Sequence, residues 1–273
     1  MTDVSTHSDW MVRASNDHSR LERIEAFFSN HAYQPHRHDT FAIGRTLSGV
    51  QSFHYRGAVR HSQLGMTMIL HPDEEHDGEA GTQEGFRYRM VYVEPALIQK
   101  IMKGKPLPFF KQGISHDVRL FHATNTLLQK MDYALDTLEE EDALYDLATT
   151  MYEVAGENRQ HRHRYDYIAA ERAREFIHAS LDQDIALDHL EQNTGRDRWS
   201  LCRDFRMLFG TSPHRYMIMR KLDIVKSCLV HGKSLIEAAM IAGFFDQSHM
   251  TRHFTRAFGI TPARWKQMHV IKQ

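Results

Sequence analysis

The spacing of apolar residues changes along this chain, and the changes mark its parts. From His31 to Val93 apolar residues come in short runs, alternating or unbroken, each stopped by a turn signal. One run covers 40–47 and stops at Ser48-Gly49. The next covers 50–55 and stops at Arg56-Gly57. A short one follows at 58–63, then 66–70 after Gly65, then 86–93. Short runs of this kind predict the strands of a sandwich or small barrel. The polar residues 1–20 precede them, with a weak strand or turn at Trp10-Met11-Val12. Beyond Val93 the period becomes helical. Pro95 opens a helix over 96–103, and Pro106-Leu107-Pro108 breaks it. Leu120, Leu127, Leu128, Met131, Leu138, Leu144, Leu147 and Met151 predict two helices between 117 and 154, with Glu139-Glu140-Glu141-Asp142 at the turn or helix start between them. The polar stretch 157–164 is a linker, and a helix over 165–181 follows it.

The last third of the chain contains one pattern twice. Leu201-Cys202-Arg203-Asp204-Phe205, Phe209-Gly210, Ser212-Pro213 and Arg215-Tyr216 return as Met250-Thr251-Arg252-His253-Phe254, Phe258-Gly259, Thr261-Pro262 and Arg264-Trp265, at a constant offset of 49 residues. A fixed period of this size marks a repeated supersecondary unit. In the first copy Leu201, Phe205, Leu208 and Phe209 share one helical face, with Trp199, Cys202, Arg203 and Arg206 largely opposite. In the second, Met250, Phe254, Ala257 and Phe258 oppose Gln247, Ser248, Thr251 and Arg252. Asp197 and Asp246 stand at N-cap positions, Gly210 and Gly259 at C′ positions, and Ser212-Pro213 and Thr261-Pro262 open the next helices. A helix and a glycine turn precede each copy: Leu187, Leu190 and Gly195, then Leu235, Ala238, Ala239, Ala242 and Gly243. Helix, glycine turn, helix with exposed polar and basic positions is the helix-turn-helix pattern. A helix running roughly from Pro213 to Leu229 joins the two units.

Net charge is −1, but residues 196–273 hold 14 Lys/Arg against 5 Asp/Glu, and residues 1–195 hold 20 against 30. A basic module joined to an acidic one suits a phosphate-binding partner. With 273 residues and 41% apolar content the chain has room for two globular domains. No apolar run approaches the ~18 residues of a membrane span. No charged-then-apolar leader opens the chain, and Cys202 and Cys228 make no disulfide framework, so a reducing cytoplasm is expected.

Residues 165–268 resemble the double helix-turn-helix domain of AraC/XylS-type transcription regulators. That family carries a run of the form Ile-x-Glu-x-Ala-x-x-x-Gly-Phe, and here stand Ile236-Glu237-Ala238-Ala239 and Gly243-Phe244. The following signature matches Ser248-His249-Met250-Thr251-Arg252-His253-Phe254 and Phe258-Gly259-Ile260-Thr261-Pro262-Ala263-Arg264-Trp265. Met250 replaces the commoner aromatic or Leu, Trp265 the usual Tyr, and Lys266 the usual Arg. The first copy is looser, with Arg198-Trp199 at the head of its helix. The resemblance implies two recognition helices in successive major-groove segments of double-stranded DNA. Base edges then fall to Arg198, Trp199, Cys202 and Arg203 of the first and to Gln247, Ser248, Thr251 and Arg252 of the second. Arg suits guanine O6/N7 and Gln suits adenine N6/N7. Arg206, Arg215, Arg256, Arg264 and Lys266 are phosphate candidates. Phe244 is expected in the core and Phe245 partly exposed.

The front half resembles the cupin-like sensor domain that precedes this DNA domain in many such regulators. Pro35-His36-Arg37-His38 stands before the first strong strand, and Gly65 and His71-Pro72-Asp73-Glu74-Glu75-His76 fall where a second cupin motif would lie. His-x-His on a strand points both rings to one face. With His76 that makes three imidazoles, suited either to lining a ligand pocket or to holding a metal. The Glu that enzymatic cupins add after His-x-His is replaced by Ala42 and Ile43. Among 20 histidines a chance pair also occurs, at His161-Arg162-His163. Pocket lining is therefore the reading taken for His36, His38 and His76, with Arg45 and Tyr92 as further polar candidates and no resident cofactor. The helices after the barrel are expected either to cover it or to pair two subunits.

These readings make an α+β chain: a cupin-like jelly-roll barrel with packing or dimer helices over 1–156, a linker over 157–164, and an all-α double helix-turn-helix domain over 165–273. The expected function is sequence-specific transcription regulation, commonly activation, modulated by a small-molecule effector in the barrel. A homodimer and contact with RNA polymerase are implied, and no membrane or enzymatic role. Two alternatives stay open: a metal-dependent cupin enzyme with an appended DNA module, and an effector-blind architectural DNA binder.

Overall fold

A computed structural model describes residues 9–13, 21–132, 135–156, 165–183 and 185–268. The linker proposed at 157–164, with its His161-Arg162-His163, lies outside the described residues, as do residues 1–8.

The front half builds two antiparallel sheets. The first has the order β1-β2-β9-β4-β7-β10, from Trp10–Arg13, Glu22–Phe28, Phe86–Val93, Phe41–Gly49, Thr67–Leu70 and Ile114–Ser115. The second has the order β3-β8-β5-β6, from His31–His36, His76–Ala80, Gln51–Tyr55 and Ala58–Ser62. Strand alternation assigns the faces. Ile24, Ala26, Phe28, Ala42, Met68, Leu70, Tyr88 and Met90 point inward to meet Phe53 and Tyr55 of the second sheet. Phe41, Ile43, Ile69, Val91 and Val93 point outward and are covered by three helices, α1 (Pro95–Met102), α2 (Val118–Leu128) and α3 (Thr137–Ala155).

Strand β2 was not foreseen, and its chemistry explains why. Its outward positions are Arg23 and Glu25, which read as solvent-facing but are 1% and 7% exposed. Arg23 donates to the carbonyls of Leu127 (3.0 Å), in the last turn of α2, and of Lys130 (2.9 Å), just past it, and Glu25 holds Arg87 and Arg89 of β9. Helix α3 starts at Thr137, capped by Asp136, so the acidic run lies inside its first turns. Leu138, placed in the apolar stripe by spacing, is 68% exposed; the buried stripe is Ala143, Leu144, Leu147, Ala148 and Met151.

The rear half is helical: α4 (Tyr167–Ala179), α5 (Leu187–Thr194), α6 (Arg198–Phe209), α7 (Pro213–Val230), α8 (Leu235–Ile241), α9 (Gln247–Phe258) and α10 (Pro262–Met268). Helices α6 and α9 are the two copies of the repeat. Their Asp197 and Asp246 side chains accept backbone N–H groups at the first turn, and Gly210 and Gly259 end them in left-handed conformation. Each copy fills its own core: Leu201, Phe205, Leu208 and Phe209 with α4 and α5, and Met250, Phe254 and Ala257 with α8 and α10. Helix α7 joins them, with Tyr216 in the first core and Leu222, Val225 and Leu229 in the second.

Helix α7 also fastens the rear half to the barrel. Arg215 pairs with Asp73 and donates to the Arg37 carbonyl. Arg220, 6% exposed, reaches Asp39 (2.9 Å) and Glu94 (2.7 Å), and Lys226 pairs with Glu22. No helix among the described residues is long and apolar enough to cross a membrane.

Candidate nucleic-acid interface and barrel pocket

Helices α6 and α9 turn their apolar stripes into separate cores, which leaves the opposite faces outward. On α6, Trp199 is 79% exposed, although a lone tryptophan is ordinarily a core residue. Arg203 is exposed and stands 3.4 Å from the buried Asp204, whose other oxygen holds Arg196 at 2.7 Å. Arg198 is half-buried and tied to α5 by Asp188 (2.8 Å) and Glu191 (3.3 Å). Cys202 is a partly exposed free thiol. On α9, Ser248 and Arg252 are exposed, and Gln247 and Thr251 are partly so. Among the described residues, no carboxylate lies within ion-pair distance of Arg252. Phe244 is buried and Phe245 is 94% exposed, in the turn before α9.

The phosphate candidates divide. Arg206 and Arg256 are exposed, and Arg206 donates to the Cys202 carbonyl of its own helix (3.3 Å). Lys266 donates to the carbonyls of Lys233 (2.8 Å) and Gly232 (3.4 Å), in the turn between α7 and α8. Arg264 stands 3.4 Å from Asp9. Arg215 departs from the expectation: its face of α7 is covered by the barrel and its guanidinium belongs to Asp73, so it is not a free cation for phosphate. The repeat aligned Arg215 with Arg264, and both turn toward carboxylates of the front half.

Helices α6 and α9 both end against the barrel. The Gly259 carbonyl accepts the Gln34 N–H (3.2 Å) and the Arg256 carbonyl accepts the Arg37 N–H (3.2 Å), so α9 docks on β3. A Cβ at Gly259 would stand 2.7 Å from the Gln34 carbonyl and 2.8 Å from His36 Nδ1. At the equivalent Gly210 of α6, a Cβ would stand 2.5 Å from Pro72. Thr211 donates to Asp73 (3.1 Å), and the Met207 carbonyl accepts the Leu107 N–H (3.3 Å). This docking left no trace in the sequence beyond the C′ glycines, which a helix end alone explains.

Inside the front half, His36, His38 and His76 come together, all buried, with one ring nitrogen of each within 4.8 Å of the others. His36 ends β3 and His76 opens β8, opposite one another in register. His38 lies past the end of β3, so an extended strand does not account for its direction; the turn into β4 does. Burial, reinforced by the neighbouring rings, holds His36 and His38 well below the ordinary imidazole range, and burial brings His76 down to about 4. The three rings are neutral at pH 7. Tyr92 joins them, edge-on to His38 at 5.4 Å, and Tyr33 lies beside His36 with its hydroxyl 2.8 Å from that of Tyr88. Tyr33 and Tyr88 had no distinguishing mark among the aromatics of the strands. Arg45 falls elsewhere. Its position alternates with Gly44 and Thr46, so it points to the helix-covered face, with its guanidinium 5.2 Å over the Phe121 ring. A pocket lined by Arg56, Arg60, Glu74, Phe109 and Lys111 includes none of the three histidines in its lining.

Comparison with known proteins matches both halves. Residues 18–148 match the AraC-like ligand binding domain, and residues 190–268 match a helix-turn-helix domain. An uncharacterized HTH-type transcriptional regulator of Bacillus subtilis, YbfI, is 26% identical over 245 residues, covering 85% of this chain and 84% of the relative. The XylDLEGF operon transcriptional activator of Pseudomonas putida is 30% identical over 97 residues, 34% of this chain and 30% of that protein. Among solved structures, ToxT of Vibrio cholerae superposes with a TM-score of 0.66 at 9% identity over 92% of this chain and 99% of its own. Another ToxT structure, with bound unsaturated fatty acid, gives 0.63 at 9% identity over 95% and 94% of the two chains. The chain thus carries an AraC-type ligand-binding domain in its front half and a helix-turn-helix DNA-binding domain in its rear half, and the relatives it resembles are transcriptional regulators.

Proposed function

We propose that the protein reads a two-box DNA site through α6 and α9, and that an effector in the barrel changes how firmly the barrel grips those helices. The observation that carries this reading is the double docking: the C-terminal ends of both recognition helices abut the barrel, at Gly210 and at Gly259. Trp199, Cys202 and Arg203 of α6 and Gln247, Ser248, Thr251 and Arg252 of α9 take base edges. Arg198, braced by Asp188 and Glu191, sits at the head of α6 where a base or the backbone is in reach. Arg206, Arg256 and Lys266 take phosphates. Arg264 joins them once the contact with Asp9 opens.

The effector lies between the two sheets, near the histidines and Tyr92. The fatty acid of ToxT supports an apolar molecule with one polar end, since small binding sites combine an apolar lining with few polar groups. An effector shifts the balance between gripped and released states only by binding one of them better. Activation fits the P. putida relative, with RNA polymerase as the partner. Pairing of two copies is assigned to α2 and α3, where Val118, Leu138 and Tyr145 are large and exposed. The setting is the cytoplasm.

Selection of bound fragments from a genomic DNA pool by the full-length protein tests this, at about 150 mM salt to suppress weak phosphate binding. Enrichment of a site with two short boxes roughly one helical turn apart is expected. Uniform recovery of all sequences, with and without candidate effectors, would contradict specific reading.

A further inference from the structure

The three barrel histidines share a feature that an effector pocket does not require. His36 Nδ1 meets the Gln34 carbonyl at 2.8 Å, His38 Nδ1 the Thr40 carbonyl at 2.9 Å, and His76 Nδ1 the Glu74 carbonyl at 2.9 Å. A carbonyl only accepts, so each Nδ1 carries the ring proton and each Nε2 keeps its lone pair. Three separate main-chain oxygens thus impose one tautomer on three converging buried rings. Metal-binding imidazoles are prepared in this way: one nitrogen faces the ion and the other donates to an oxygen behind it.

The spacing fits as well. The ring nitrogens lie within 4.8 Å of one another, and the centroids of His36 and His76 are 4.3 Å apart. Bonds of about 2.0–2.1 Å in tetrahedral geometry put ligand nitrogens about 3.4 Å apart, so modest ring rotations close the set. Ala42, which faces the inter-sheet core with a methyl group, supplies no fourth ligand, so a fourth position is left for water or an anionic effector.

The position of the cluster adds a consequence. His36 Nδ1 lies against Gly259, the end of α9, and Gln34 serves both groups: its carbonyl holds His36 while its N–H holds the Gly259 carbonyl. Drawing His36 toward His38 and His76 disturbs the surface on which α9 rests. We propose that His36, His38 and His76 bind one divalent transition-metal ion of the imidazole-preferring class, such as Zn²⁺, and that loading loosens the end of α9 from β3. The metal site stands on the barrel alone. The regulatory meaning rests on α9 being a recognition helix.

The test uses the full-length protein, stripped of metal and titrated with Co²⁺, which reports tetrahedral imidazole ligation in its visible spectrum. About one ion per chain is expected, displaced by Zn²⁺. It is lost in His38→Gln and in His76→Gln with circular dichroism unchanged, and retained when His249 and His253 of α9, another close pair, are both changed to Gln. Failure of the wild type to bind, or binding that follows His249 and His253, would overturn the site. Hydrogen exchange then reads the coupling without DNA. The Gln34 and Arg37 amides, which donate to α9, are expected to exchange about tenfold faster with Zn²⁺; unchanged or slower exchange would overturn the coupling. If ion binding and faster exchange hold while DNA selection enriches nothing, the reading of α9 fails and the metal site stands.

Discussion

His36 Nδ1 lies 2.8 Å from the place a Cβ on Gly259 would occupy. One residue ends a strand of the front half and the other closes α9, so the two halves meet at the two ends of one contact. Gly259 is constrained twice: its φ of 68° favours glycine, and the space beside its Cα is filled by β3. Gly195 has the same backbone, φ 69°, with nothing near its Cα. Gly195→Ala is expected to cost about 1 kcal/mol of stability from backbone strain alone. Gly259→Ala adds the clash and should also speed hydrogen exchange at the Gln34 and Arg37 amides. Equal stability losses and unchanged exchange would show that α9 is not held there.

Arg220 is the buried centre of the α7 contact, and its loss strands a carboxylate. Asp39, 2% exposed, has Arg220 within 2.9 Å and keeps its other oxygen without a partner. Removing one member of a buried pair costs about 3–5 kcal/mol, largely for the charge left behind. Arg220→Ala is therefore expected to lower thermal stability by that order, and Asp39→Asn added to it should recover part of the loss. Simple additivity of the two changes would show that the pair is not coupled.

Acid should weaken the front half through His71. Its Nε2 accepts the Phe110 N–H at 2.9 Å, which requires an unprotonated nitrogen, and burial, aided by Arg56, lowers its pKa to about 3. The unfolded chain takes up this proton near pH 6.5 and the folded chain does not. The stabilisation is thus complete above about pH 6.5 and falls with acidification by about 1.4 kcal/mol per pH unit. Urea unfolding of the wild type and His71→Gln is expected to converge by about 2 kcal/mol between pH 6.5 and 5. Parallel stability curves would contradict this role.

Arg206 and Arg256 are exposed basic residues on α6 and α9, where the proposed reading puts phosphates. Each, changed to Ala, should weaken binding to all DNA sequences alike and reduce the slope of log K against log salt by about one. A loss confined to one sequence would mean that the residue reads a base.

The helix-turn-helix units were legible because their signals are local. Caps, C′ glycines and an apolar stripe lie within a dozen residues, and the repeat shows each signal twice. The contacts between the halves were not legible, because Arg220 meets Asp39 across 181 residues and Lys226 meets Glu22 across 204. Nothing local singles out those carboxylates from the many others of the acidic half. Arg215 shows the limit of the repeat: it and its counterpart Arg264 both face front-half carboxylates, Asp73 and Asp9, which no local signal announces. In the barrel, the histidines converge although His38 leaves the strand, so His-x-His pointed to the right cluster through the wrong geometry. Arg45 was assigned to the pocket by residue type, and strand parity puts it on the other face.

The base-preference profile of the selected DNA site, measured for the wild type, Arg203→Ala and Arg252→Ala, tests whether two recognition helices read DNA here. Two preferred boxes about one helical turn apart are expected, each variant losing preference in one box at a cost of about 1–3 kcal/mol on the matched site. A uniform loss across all sequences in both variants, with the preferences intact, would contradict it.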